Sequence, residues 1–457
     1  MVLGRIRELF SGPDDARTGS TEAVPRGTPP EPAGDPGGSL RQPQSRKKSV
    51  LRRDAILGRD GKVAGYGFAL RDAPDARLRE APLAVHRLYN EALLANLDHP
   101  EVLRLLERRQ AFIPVSPLLL EHPLLAKLPA ERVVWMLERT EDFSESGETL
   151  RTRIESLRHR GCRFAISAQA AHAPGAAHLG GLAELVLLDA GDEDIPAITA
   201  SLAAAAKQVP GARFMATGIR SHEMFETCRK LQFALFQGDF LTRRERWDSP
   251  AMSASRVKVL DLMNRVRKGA EQSALAAQIK LDPVLSVRLL RYVNSPGMGL
   301  LNKVGGIEQA LMVIGRDKLY RWLTMVLFTG GQGGELDSAL LENALVRGRL
   351  AEAFASRILS RREQDEVFVA GLFSLLDVVL RMPMADVLKQ ISLPEAVEAA
   401  LRDRSGPYAP FLELALACEN DDAPRVEALA GGLQLDLAEV NEAQVGALIW
   451  AQEAEAA

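Results

Sequence analysis

This chain is short of cysteine, of histidine in its second half, and of long apolar runs. Only three cysteines occur in 457 residues (Cys162, Cys228 and Cys418). An odd, widely spaced set makes neither a disulfide framework nor a metal-ligand pattern. The three are therefore expected as small core residues in a reducing cytoplasm. No apolar run approaches the ~20 residues that span a bilayer, so no integral membrane segment is expected. The start, MVLGRIRELF, lacks the apolar stretch and cleavage site of a signal peptide. The formal net charge of −3 offers no positive field for nucleic acid or an anionic membrane. Arginine-rich pieces such as Arg243-Arg244-Glu245-Arg246 are mixed with acids and read as structural.

What is present is the composition of a globular protein, 46% hydrophobic and 26% charged. The length calls for two domains and a tail. Residues 1–50 form the tail: its Pro-, Gly- and Ser-rich stretch TPPEPAGDPGG has too little apolar surface to repay ordering, and disorder is expected. Val2, Leu3, Ile6, Leu9 and Phe10 have helical spacing, which makes either a fraying start or a short partner- or membrane-touching helix. Arg46, Lys47 and Lys48 are a solvated charge run or a contact for an acidic partner.

Residues 51–246 alternate short apolar runs with helix-like stretches. The candidate strands are 63–70, 112–115, 133–136, 162–166, 184–188, 213–217 and 233–237. This alternation predicts a mainly parallel sheet, as a barrel or doubly wound. No glycine-rich phosphate loop follows any of them. From 247 to 457 helical periodicity takes over, as in Leu285, Leu289, Leu290 and Val293 before the stop at Asn294-Ser295-Pro296-Gly297. The fold class is α/β plus all-α.

Catalytic groups of a parallel barrel sit at the C-terminal ends of its strands. Two-metal phosphodiester hydrolysis would need several carboxylates converging there. The strand ends supply Glu138, Asp189 and Asp239, which read as polar loop residues. All seven histidines lie at or before His222, so a helical metal hydrolase after residue 247 would have no imidazole ligand. No GxSxG elbow or HExxH helix occurs. No cofactor is expected.

The stretches RDGKVAGYGFALR (59–71), FIPVSP (112–117) and FETCRKLQFALFQGDFLTR (225–243) resemble an EAL domain, the cyclic di-GMP phosphodiesterase barrel. Residues 257–315, with Asp282-Pro283, Arg291-Tyr292-Val293-Asn294-Ser295 and Gln309-Ala310-Leu311, look like an HDOD domain. The order resembles that of the YuxH-like bacterial signalling proteins, over residues 51–453. The resemblance implies a TIM-like barrel followed by an all-helical HDOD domain. It also implies a degenerate barrel. The signature glutamate falls on Gly67, the metal-binding asparagine on Pro114, the paired aspartates on Ser167 and Ala168, the lysine on Leu187 and a loop glutamate on Arg220. The third-strand glutamate falls on Met136 or Glu138, and the opening-strand glutamine on Asp54. Arg71, Asp189 and Gln237 are retained, as possible residual ligand-binding residues. In AGLFSLLDVVL (370–380), Ser374 and Leu375 stand where HD enzymes have His and Asp, which leaves Asp377 as a surface or capping acid.

The reading is then a cytoplasmic pseudoenzyme: a non-catalytic signalling or scaffold protein acting through unidentified protein partners or self-association. Cyclic di-GMP binding is in doubt. Two alternatives stay open: an effector that senses cyclic di-GMP or another nucleotide without hydrolysis, and a residual phosphodiesterase. Asn294 is expected to close its helix and pin the next loop. Arg316, Lys318 and Arg321 are expected as an exposed partner surface.

Overall fold

The computed structural model describes residues 51–70, 83–98, 100–138, 147–172, 181–191, 194–244, 253–295, 298, 300, 303–329, 336–420 and 422–455. The tail and Arg71 lie outside them. Eight strands close a barrel in chain order: β1 (Leu51–Gly58), β2 (Val63–Leu70), β3 (Gln110–Val115), β4 (Val133–Leu137), β5 (Arg163–Ser167), β6 (Leu185–Asp189), β7 (Arg213–Ile219) and β8 (Leu235–Gly238). Neighbours from β2 to β8 run parallel. β1 is the exception, antiparallel to both β2 and β8. A tight turn at Asp60-Gly61 reverses the chain between β1 and β2, with the Asp60 carboxylate accepting from the Lys62 N–H at 3.2 Å. The candidate strands from the sequence all recur; Leu51–Gly58 was not among them.

Among the described residues, seven helices belong to the barrel part: α1 (Leu83–Leu97), α2 (Pro100–Leu105), α3 (Pro123–Lys127), α4 (Gly147–His159), α5 (Ala168–His172), α6 (Ile195–Gln208) and α7 (His222–Lys230). After β8 the chain is helical among the described residues: α8 (Ala254–Arg267), α9 (Gln272–Lys280), α10 (Pro283–Val293), α11 (Ile307–Thr329), α12 (Asp337–Ala355), α13 (Arg361–Phe373), α14 (Leu376–Leu380), α15 (Met384–Leu388), α16 (Glu395–Arg402), α17 (Ala409–Ala417), α18 (Ala423–Gly432) and α19 (Leu437–Glu455). The barrel-then-helices architecture is the one the sequence implies.

Strand alternation sorts the barrel side chains between two apolar clusters. Ile56, Phe112, Val134, Ala165, Leu185, Met215 and Leu235 fill the interior. The outward residues join the barrel helices and the helical domain in one continuous core that runs from Leu51 to Ala451. Polar ties cross the same junction. The Leu51 N–H donates to Asn441 Oδ1 at 2.9 Å, and Arg104 pairs with Glu453 at 3.1 Å.

Within the helical domain α12 and α13 cross at Gly348 and Gly371. A Cβ on Gly371 would lie 2.6 Å from the Gly348 Cα and 2.8 Å from the Arg347 carbonyl oxygen. Glycine is what lets the two backbones meet. At the end of α10 the Asn294 amide donates to the Val304 carbonyl at 2.8 Å and accepts from the Val304 N–H at 2.7 Å. It pins the following loop as its position at the helix end implies. All three cysteines are buried and none is in a disulfide. No helix among the described residues is long and apolar enough to cross a membrane.

Candidate functional site: the barrel rim

Because β1 runs against its neighbours, its first residues stand at the rim where the parallel strands end. Leu51 pairs with Leu70, the last residue of β2. β1 pairs with β8 only through Ile56–Gly58. Between Leu51–Ala55 and the 3₁₀ turn Asp239–Leu241 that follows β8 the wall therefore opens. A cavity of about 490 Å³ occupies this opening, within the usual size range of ligand sites. Asp54, Asp189, Thr217, Gly218, Arg220, Gln237 and Asp239 line it from the barrel; Asn343 of α12, with Glu419 and Asn420 beyond α17, line it from the helical domain.

The rim is preorganised. Gln237 Nε2 donates to Asp54 Oδ2 at 3.1 Å, and Arg52 pairs with the same carboxylate at 3.0 Å. Asp189 Oδ1 accepts from the Gly191 N–H at 3.0 Å. Gly218 has a φ of 71°, and a Cβ there would lie 2.4 Å from Asp189 Oδ1. A glycine is required if Asp189 is to hold its place. Gly67 faces the same group: its Cβ position is 3.5 Å from Gln237 Nε2 and 3.9 Å from the Asp54 Cβ. Deeper in, Met136 and Leu187 pack against the interior cluster, so the polar rim rests on an apolar floor.

The sequence brought Asp189 and Gln237 to this place, and the structure puts both on the rim. Arg52 and Arg53 on this rim were passed over, and Asp54 was read only as the place of a lost glutamine. Inspection of strand C-termini alone cannot find a strand whose N-terminal end reaches the site. Glu138 is not among the lining residues. The described side chains form no group of three or more His, Cys, Asp or Glu that could hold a metal ion.

Other expectations are corrected. Asp377 is no surface acid: it is 1% exposed and pairs with Arg244, from the segment leaving the barrel. Of the expected basic surface, Arg316 is exposed, whereas Lys318 is half-buried. Burial first, and Arg321 second, hold the Lys318 ammonium below its ordinary pKa. Arg321 pairs with Asp365 of α13 and lies 5.7 Å over the Phe368 ring. The three do not form one exposed patch.

Residues 250–400 match the HDOD domain family. Over 411 residues, 89% of this chain and 93% of the relative, the chain is 24% identical to Cyclic di-GMP phosphodiesterase CdgJ of Vibrio cholerae. It is 26% identical to Uncharacterized protein YuxH of Bacillus subtilis over 243 residues, 52% of this chain and 59% of that one. Among solved structures, the Bacillus subtilis YkuI protein with an EAL domain, in complex with c-di-GMP and calcium, aligns with 44% of this chain and 56% of its own. That match has a TM-score of 0.35 and 17% identity. The chain thus carries an HDOD domain match behind an eight-stranded barrel.

The expectation of no enzyme does not survive this comparison, because a relative matched along nearly the whole of both chains carries a phosphodiesterase name. The physical reason lies at the rim. The tally of family positions entered Asp54 only as a lost glutamine, whereas its carboxylate borders one cavity with Asp189 and Asp239. The doubt over cyclic di-GMP rested on the same tally and is withdrawn with it.

Proposed function

We propose that this chain is a cyclic di-GMP signalling protein: the barrel rim takes the dinucleotide, and the HDOD domain docked on that rim passes its occupancy to a protein partner. The observation that carries the reading is the cavity itself. It joins an amide, hydroxyl and carboxylate set (Gln237, Thr217, Asp54, Asp189) to arginines, and both domains line it. The name of the Vibrio cholerae relative supplies the ligand class and makes cyclic di-GMP hydrolysis the activity to assay. Three buried cysteines outside any disulfide fit a reducing, cytoplasmic setting. For the partner, the HDOD domain offers exposed Arg316 with apolar Met312, Val284 and Val287, which are 65%, 63% and 56% exposed.

Titration calorimetry of the full chain with cyclic di-GMP tests the reading. Saturable binding is expected, weakened at least tenfold by Gln237→Ala, which removes the donor to Asp54. Chromatography of the same mixtures with Mg²⁺ shows whether a linear dinucleotide accumulates. An absence of binding in the wild type overturns the proposal.

A further inference from the structure

Among the described residues, one buried arginine on this cavity has unmet N–H groups. Arg53 lines the cavity and is only 6% exposed. Its Nε and Nη2 have no hydrogen-bond partner among the described residues. Its guanidinium stacks 5.9 Å over the Tyr66 ring, which offers π density but no acceptor. Nearby charges do not balance it. The Tyr66 hydroxyl donates to Glu342, and Arg109 Nη2 donates to Glu342 Oε2 at 2.9 Å. Burial first, and the neighbouring Glu342 second, raise the Tyr66 phenol well above its ordinary range, so it stays neutral. Glu342 is thus already taken by the Tyr66 hydroxyl and the half-buried Arg109. The other acids lining the opening have partners of their own: Asp54 has Arg52 and Gln237, Asp239 has Arg243, Asp189 accepts from the Gly191 N–H, and Glu419 takes Arg347, whose Nε donates to it at 3.0 Å. A buried cation with unmet N–H groups is costly and rare unless an anion completes it.

We propose that Arg53 anchors a phosphate group in the opening between β1 and the helical domain, with Asn343 on the far wall, so that the bound ligand ties the HDOD domain to the barrel. A guanidinium presents the fork that phosphate oxygens match, whereas an ammonium offers a single point charge. The inference deepens the reading above and rests on it for the identity of the ligand. The phosphate comes from the cyclic dinucleotide or from a free phosphate or mononucleotide.

The test uses the full chain as wild type, Arg53→Met and Gln237→Ala, titrated with cyclic di-GMP, GMP and inorganic phosphate, with melting temperature followed in parallel. Arg53→Met keeps the stack on Tyr66 and removes the charge. It is expected to melt no lower than the wild type without ligand, to bind cyclic di-GMP at least tenfold more weakly, and to lose the ligand-induced rise in melting temperature. If Arg53→Met binds cyclic di-GMP like the wild type, the Arg53 site is overturned while the rim reading stands. If the wild type binds GMP or phosphate but not cyclic di-GMP, and Arg53→Met binds neither, the Arg53 site stands and the rim reading falls. If the wild type binds none of the three, both fall. Should Arg53→Met fail to fold, Arg53→Lys replaces it: weaker binding supports the fork, and unchanged binding overturns it.

Discussion

The Tyr66 hydroxyl, on a barrel strand, donates to the Glu342 carboxylate, on a helix of the HDOD domain, although 276 residues separate them in sequence. Glu342 is 2% exposed and also takes Arg109 from the chain entering β3. A charge this deeply buried is tolerated only while its partners are in place. Glu342→Leu leaves Arg109 and the Tyr66 hydroxyl without their buried carboxylate and should cost about 3–5 kcal/mol. Because the loss falls on the junction, urea unfolding of this variant should separate into two transitions. A single wild-type-like transition would show that the junction does not depend on Glu342.

Gly371→Ala should part α12 from α13. Its new methyl group meets backbone of the facing helix rather than a flexible side chain. Strain of this kind costs about 1–3 kcal/mol, read as a lower urea midpoint at constant slope. Gly446→Ala is the control, since a Cβ there meets nothing within 4 Å.

Asn294→Ala removes both bonds to Val304 and should cost about 1–3 kcal/mol. Partner binding or self-association should fall only as far as folding does, measured by light scattering below the melting temperature. A loss of association in fully folded protein would make Asn294 a contact residue.

Glu184 reports on the barrel wall under acid. Hydrogen bonds from Arg163, then the charges of Arg163 and Arg213, hold its carboxyl below the usual carboxylate range against a partial burial penalty. A depressed native pKa gives stability that is present above the unfolded carboxylate pKa of about 4.3 and lost as pH falls through the native value. The melting temperature of the wild type should exceed that of Glu184→Gln at pH 7, and the gap should close below about pH 4. A gap that is constant with pH would show that the carboxylate charge contributes nothing.

Local features were the legible ones. Seven strands carried apolar runs, and Asn294 reaches a partner only ten residues away. β1 was missed because Arg52, Arg53 and Asp54 break its apolar pattern, and those are the residues that form the rim and the domain junction. Asp377 and Arg321 read as surface charges because polarity is visible in a sequence while their partners, Arg244 and Asp365, are brought in by tertiary packing. The acids of the site were undercounted because the antiparallel strand presents its beginning, not its end, at the rim.

The central claim is that the barrel rim takes cyclic di-GMP, and the most direct test plugs it. Gly67 faces Gln237 and Asp54 at ordinary contact distances, so a larger side chain there projects into the rim. Equilibrium dialysis of labelled cyclic di-GMP should be run against the wild type, Gly67→Leu and the outer-surface control Leu88→Ala. The account predicts saturable binding by the wild type and the control, and at least tenfold weaker binding by folded Gly67→Leu. Equal binding by all three, or none by the wild type, would contradict it.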